Sequence, residues 1–383
     1  MDTAEIMSLA PVLRPGTAHS KGLRLRDTSR TLAAVPLNQR EPNLKAEILS
    51  THTPALFQAA VKRAVELLRA GELVALPTET VYGLAANALD ARAVARIFEA
   101  KGRPAHNPII VHVASLELAR RCVADWPLAA EKLARAFWPG PLTLVLPRSP
   151  EIPDLVTAGG PTVGVRWPSH PFIQAVIREC GFPLAAPSAN PSNQVSPTNA
   201  QHVAKGLGDK IRLIVDGGQA QVGIESTVLD LSGNPARVLR PGSIHGESLR
   251  AAAADLDLRI DAGEAPASGS EPLRSPGQLL RHYSPKARLE ILSWRDTQDL
   301  AIQSSKFKIQ SSKVQIIAHT VIPSAGAFGR VSVIPHDAEA FARAIYAELH
   351  ECDEAGVELI LVEALPDTNE WHAIADRLKR AAT

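Results

Sequence analysis

From residue 54 onward the apolar positions fall into helical or strand periods. Phe57, Val61, Val65 and Leu68 recur at helical spacing, and Gly71 supplies a stop. Residues 73–76 form a short apolar strand that ends at Pro77. The same reasoning predicts helices over 91–100, 127–137 and 171–180. It predicts strands over 109–113, 142–146, 162–167, 183–186, 211–215, 226–231 and 236–240. Helices mixed with closely spaced strands point to a layered α/β domain on a mixed sheet, over residues 48–255. A second pattern follows over 288–383: strand 289–292, helix 296–304, strands 314–318 and 331–334, helix 337–351, strand 358–362 and helix 370–381. Strands alternating with helices predict a smaller, Rossmann-like αβα domain with a parallel sheet. Residues 256–287, rich in Gly, Ser and Pro, read as a linker. Residues 1–47 carry four prolines, scattered arginines and no sustained period, and read as a weakly ordered extension.

The 383 residues are 45% apolar and 21% charged, which fits a soluble globular chain of two domains. Lys plus Arg number 41 and Asp plus Glu 40, a net charge of +1 that excludes a wholly basic coat but not a basic cleft. Aromatics at 4% argue against a base-stacking platform for single strands. Cys122, Cys180 and Cys352 are far apart, with no Cys-x-x-Cys. Neither a disulfide framework nor a structural metal is expected, and a cytoplasmic location is. No apolar run is long enough to cross a membrane.

P-loop, dinucleotide, hydrolase-elbow and zincin motifs are missing. What stands out is polar residues at the ends of apolar strands. Thr78-Glu79-Thr80 follows the strand at 73–76; its hydroxyls could bind a small polar ligand or form a turn. Lys101-Gly-Arg103 and Asn107, on a loop stiffened by Pro104 and Pro108, suit polyphosphate, although a helix end also favours cations. His112 alternates with Ile109, Val111 and Val113, a pattern equally open to a core histidine. Thr162, Gly164 and Arg166 share one strand face, where the guanidinium could clamp a carboxylate or simply lie exposed. Ser188, Ser196, Ser226 and Arg240 end further strands or turns. His282 and Tyr283, in an otherwise bland linker, would make sense if that linker folds back over a site.

Together, Leu76-Pro-Thr-Glu-Thr-Val-Tyr-Gly-Leu84, Lys101-Gly-Arg-Pro104, Trp138-Pro-Gly-Pro141, Ser188-Ala-Asn190, Ser196-Pro-Thr198 and Leu239-Arg-Pro-Gly242 resemble the YrdC-type threonylcarbamoyl-AMP synthases. The linker motif from Ser275 to Lys286 and the extra C-terminal domain resemble that family's two-domain branch. The resemblance implies a three-layer fold on a twisted, open mixed sheet with a concave basic cleft. It implies condensation of L-threonine, bicarbonate and ATP to threonylcarbamoyl-adenylate and pyrophosphate. A partner transferase would then modify position 37 of tRNA, with at most weak tRNA contact by this chain. Thr80, His112, Arg166, Ser226 and the main chain at Ala186 would surround threonine. Arg103, Asn107, Thr162, Ser188, Ser196, Arg240 and Tyr283 would contact ATP, with Lys101 and Arg103 at the phosphates. Mg2+ would accompany ATP without a protein metal cage, and no tightly bound organic cofactor is expected. Two positions depart from the family pattern: Asn193 stands where glycine is usual, and Asp376-Arg377 where an Asn-Arg pair is usual. A double-stranded RNA-binding module without adenylation activity is the alternative, which a near-zero net charge does not favour.

Overall fold

The computed structural model describes residues 45–254, 257–259, 273, 275–277, 279, 281–324 and 326–382. The extension expected over 1–47 lies outside the described residues up to position 44. The elements of the first domain are β1 (Glu47–Ser50), α1 (Pro54–Arg69), β2 (Val74–Leu76), β3 (Gly83–Asn87), α2 (Ala91–Lys101), β4 (Val111–His112), α3 (Leu116–Arg121) and α4 (Leu128–Phe137). They continue with β5 (Leu142–Pro147), β6 (Thr162–Arg166), α5 (Pro171–Cys180), β7 (Leu184–Ala185), α6 (Ala200–Leu207), β8 (Leu213–Asp216), β9 (Thr227–Asp230), β10 (Ala236–Arg240), α7 (Gly246–Ala252) and β11 (Leu258–Arg259). The strands make one mixed sheet in the order β1-β8-β2-β3-β7-β4-β6-β5-β9-β10-β11.

Side chains alternate across this sheet, so each strand feeds two cores. In β2, Val74 and Leu76 pack with α1 and α5, while Ala75 faces the opposite core with α2 and α6. In β4, β5 and β6, Val111, Leu144 and Val165 join that second core. Their other face carries Ile110, His112, Thr143, Gly164 and Arg166, and there the helical cover of α1 and α5 gives way to a cavity.

Local signals explain the helix ends. Thr53 caps α1 through its side chain ahead of Pro54, and Asp90 caps α2. Gly102 closes α2 in the left-handed conformation, with φ 61°, which turns the chain sharply into the Arg103 loop.

The C-terminal domain comprises β12 (Arg288–Leu292), α8 (Thr297–Ser305), β13 (Val314–Ala318), β14 (Arg330–Val333), α9 (Ala338–Ala355), β15 (Leu359–Glu363) and α10 (His372–Ala381). Its four strands are all parallel, in the order β12-β15-β13-β14. Ile317, Ile360 and Val362 face α9 and α10, while Ile316, Leu359 and Leu361 face Leu300 of α8. Val81, Val195 and Ile224 of the first domain join the α9–α10 core, so the two domains share buried apolar surface. At this seam the backbones nearly touch. A Cβ on Gly223 would lie 2.4 Å from the Ala342 carbonyl oxygen.

Several elements escaped the sequence reading. The strand β3 is built from Gly, Leu and Ala, with none of the β-branched residues that mark strands. The strand β1 pairs with β8 just ahead of the first clear helix period. The helices α3, α6 and α7 span 6, 8 and 7 residues, too short for a sustained period. The strand expected over 109–113 pairs as a ladder only at Val111–His112, because the Ile109 amide bonds Val156 in a loop instead.

Candidate active site

A partly open cavity lies against the polar face of β4 and β6, with about 550 Å³ of empty space when its solvent-filled mouth is counted. Thr80, Arg103, His112, Arg166, Ala186, Ser188, Ser226, Arg240 and Tyr283 all line it. The polar strand ends, scattered along the sequence, thus converge on one site. An adjoining hollow of about 260 Å³ is lined by Thr162, Gly164 and Ser275, and shares Ile110 and Pro276 with the first.

One wall is built around Arg166. Its Nη2 pairs with Glu79 Oε1 at 2.7 Å, its Nη1 donates to Thr80 Oγ1 at 2.9 Å, and its Nε donates to the Gly140 carbonyl at 3.2 Å. Both charges are about 95% buried, so each depends on the other. Burial would raise the Glu79 carboxyl, but the Arg166 guanidinium and the Ser169 amide hold it below its ordinary value. Burial, and then the charge of Arg166, push the His112 imidazole down to about 3, so it stands neutral. His112 Nδ1 is buried without a hydrogen-bond partner among the described residues. A buried orphan nitrogen beside a cavity is a group available to a ligand.

The second wall carries cations. Arg103 Nε donates to the Asn107 carbonyl at 3.0 Å, and its Nη2 to Asn107 Oδ1 and the Pro108 carbonyl, each at 2.6 Å. Arg240 donates through Nε to the Ser226 carbonyl and through Nη2 to Ser226 Oγ, each at 3.0 Å. Ser226 Oγ also meets Thr143 Oγ1 at 2.8 Å. Over these groups stand Pro276, Gly277, His282 and Tyr283, so the described part of the 256–287 linker covers the cavity. It is fastened where the Ser284 amide bonds the Asn193 carbonyl and where the His282 amide bonds the Arg380 carbonyl. Asn193 adopts φ 66°, the left-handed turn its side chain tolerates.

Three expected contact residues stand behind the surface rather than on it. The Lys101 ammonium is buried and donates to the carbonyls of Ser188, at 2.6 Å, and Asn190. Burial and the Arg103 charge pull it well below its ordinary pKa. Lys101, expected at the phosphates, does not line the cavity; its ammonium is held by the Ser188 and Asn190 carbonyls. Asn107 holds Arg103, and Ser196 Oγ donates to Glu225 Oε1 at 2.6 Å. Thr162 faces the adjoining hollow.

Glu79, Glu225 and Arg377 carry no assigned role in the sequence alone, whereas His282 stands with Tyr283 at the cavity as the linker motif suggested. A signal existed for Arg377, a charge on the apolar stripe of α10 formed by Ala373, Ile374, Leu378 and Ala381. Glu225 likewise sits next to Ile224 at a strand start.

Two family models cover most of the chain. The Sua5/YciO/YrdC model, described as telomere recombination, matches residues 66–242. The model for the threonylcarbamoyl-AMP synthase C-terminal domain matches residues 244–383. A threonylcarbamoyl-AMP synthase of Pyrococcus abyssi is 40% identical over 330 residues, covering 84% of this chain and 94% of the relative. One from Bacillus subtilis is 41% identical over 343 residues, covering 87% and 94%. The crystal structure of P. abyssi Sua5 complexed with L-threonine matches with a TM-score of 0.78 and 38% identity, over 88% of this chain and 96% of that one.

Proposed function

The chain belongs to the Sua5/YciO/YrdC family in its two-domain form, and on that premise we propose how its cavity performs the family's reaction. The activity is threonylcarbamoyl-AMP synthesis for tRNA modification: L-threonine, bicarbonate and ATP give L-threonylcarbamoyladenylate and pyrophosphate.

The observation that carries the assignment of parts is a carboxylate-sized guanidinium and two further guanidiniums, from distant sequence segments, on one cavity. Arg166 clamps the threonine carboxylate, sharing its charge between substrate and Glu79. Thr80, Ser226, neutral His112 and the Ala186 main chain surround the amine and hydroxyl. His112 suits this role because an uncharged imidazole neither repels the ammonium nor competes for the carboxylate. Arg103, Arg240, Ser188 and Tyr283 face the nucleotide, with Thr162 reached through the adjoining hollow. Lys101, Asn107 and Ser196 act one layer back, holding the groups that touch ATP.

The chemistry then follows from charge. The threonine amine, as the free base, forms a C–N bond to the bicarbonate carbon as a C–O bond breaks and water leaves, giving a carbamate. A carbamate oxygen then attacks the α-phosphorus as pyrophosphate leaves. No group of the chain needs to form a covalent bond. Positioning and neutralisation of the growing phosphate charge supply the acceleration. Mg2+ would enter with ATP as part of the substrate and would neutralise triphosphate charge. Glu225, the carboxylate on the cavity wall, is already committed to Ser196, Tyr346 and Arg377.

The product is a mixed anhydride, so a separate transferase must accept it and deliver the threonylcarbamoyl group to tRNA, with at most weak contact between this chain and tRNA. A cytoplasmic setting suits that chemistry. No described helix is long and apolar enough to cross a membrane, and all three cysteines are free. The test is pyrophosphate release with each substrate omitted in turn. Release that needs all three supports the reading. Release independent of threonine or bicarbonate overturns it, as would salt-dependent tRNA retention without any ATP consumption.

A further inference from the structure

The least expected charge in the molecule is Arg377, 1% exposed on a helix of the C-terminal domain. A guanidinium survives burial only when its donors are met by an anion or by carbonyls. Here Nε donates to Glu225 Oε2 at 2.9 Å, Nη1 to Asp376 Oδ2 at 2.8 Å, and Nη2 reaches the Glu225 carbonyl at 3.4 Å. Its Cζ also lies over the Tyr283 ring, 5.3 Å from the centroid. Tyr346 of α9 completes the arrangement, donating to Glu225 Oε2 at 3.1 Å and stacking on Tyr283 at 5.9 Å.

Both residues that Arg377 holds belong to the cavity wall. Glu225 accepts from Ser196 and immediately precedes Ser226, the residue whose carbonyl and hydroxyl hold Arg240. Tyr283 stands at φ 61°, a conformation a bulky residue keeps only when its surroundings enforce it. The charges decide what would follow if Arg377 were lost. Glu225 is then a buried anion whose nearest remaining cation is Arg240, and Arg240 also faces the cavity. Pairing between them would take from the cavity a guanidinium that a triphosphate needs.

We infer that Arg377 is a positioning residue for the nucleotide. From the second domain it neutralises Glu225 and supports Tyr283, so that Arg240, held by Ser226 and Pro276, is not drawn onto Glu225 and keeps its guanidinium at the cavity for ATP. The domain is thereby part of the ATP site without touching the ligand. The Asp376 carboxylate strengthens this placement by taking a second Arg377 nitrogen and pairing with Arg380 at 2.9 Å.

This inference rests on the assignment of that wall to ATP, and the experiment separates the two. Mg2+–ATP and L-threonine are titrated calorimetrically, each alone, into the full-length wild type, Arg377→Met and Arg377→Lys. The expected result is an ATP dissociation constant raised at least tenfold in Arg377→Met and less in Arg377→Lys, which retains the charge but not the fork. The threonine constant should stay within twofold in both. A loss shared equally by the two ligands, an unchanged ATP constant, or failure of both variants to fold would make Arg377 merely structural and overturn the inference. Failure of the wild type to bind ATP would instead strike the assignment of the wall.

Discussion

Two buried ion pairs flank the cavity, and they are built to different ends. Arg166–Glu79 lies within one domain, and its cation faces the cavity directly. Arg377–Glu225 crosses between domains, and there it is the anion that faces the cavity while the cation stays behind. In the first pair a ligand carboxylate can take over part of the partner's role, so the pair can trade contacts during binding. In the second, neither Arg377 nor its partners need change, so the pair serves as a fixed support. On the proposed assignment, similar burial and similar distances, 2.7 Å and 2.9 Å, serve recognition in one place and scaffolding in the other. Burial of a salt bridge alone does not tell which.

The comparison can be broken at its recognition end first. Arg166→Ala should lower pyrophosphate release by at least about 100-fold, since it removes the carboxylate clamp. It should also cost about 3–5 kcal/mol in urea unfolding, because Glu79 is left buried without its cation. An active, stable variant would remove the distinction drawn here.

Replacing L-threonine by L-serine tests the pocket without touching the protein. Loss of one methyl contact should reduce kcat/KM by roughly 10–200-fold, and equal turnover of the two substrates would refute the threonine assignment. Arg103→Ala should lower turnover at least about tenfold, by the loss of one guanidinium aimed at charge that develops in the transition state, while the fold survives. Near-native pyrophosphate release by that variant would refute it.

The supporting pair can be sharpened by pH. Burial would raise the Glu225 carboxyl, but Arg377, Arg240 and the Ser196 hydroxyl hold it down to about 2, against an ordinary 4.5. A carboxyl depressed by folding adds stability above its unfolded value and loses it as pH falls through the folded one. Wild-type stability should therefore decline as pH falls from 4.5 toward 2, and Glu225→Gln should flatten that decline. Identical slopes in acid denaturation would show that Glu225 does not carry the effect. The smallest change belongs to a third pair, Lys205–Glu354, which also joins the two domains but is about half exposed. Lys205→Ala should cost under about 1 kcal/mol, and a larger loss in the same unfolding assay would show that exposure is a poor guide at this seam.

Much of the fold was legible because the main helices are capped and the strands alternate. Val163 and Val165 enter the core while Thr162, Gly164 and Arg166 take the other face, as period two requires. What the sequence hides is which polar strand ends meet. Ser188 and Arg103 share a cavity because β7 lies between β3 and β4, a sheet order that no local pattern encodes. Depth is hidden too. Lys101 and Arg103 are two residues apart, yet a left-handed turn at Gly102 sends the ammonium under the Ser188 loop and leaves the guanidinium at the cavity. The resemblance to a family supplied ligand positions, but not the partners that set them. Glu79, Glu225 and Arg377 become interpretable only when burial shows that each charge must have an opposite one.

The close approach at Gly223 gives the two-domain arrangement a built-in length standard. With φ 83° and a would-be methyl group 2.4 Å from the α9 backbone, position 223 accepts no side chain unless α9 moves outward. Tyr346 lies one turn along that helix from Ala342, so a displacement of about one carbon atom at the surface loop would be carried inward to the phenol that touches Glu225. The spacing between domains is thereby calibrated by the absence of an atom, and the setting of a buried supporting charge on the cavity wall depends on the thickness of a peptide bond.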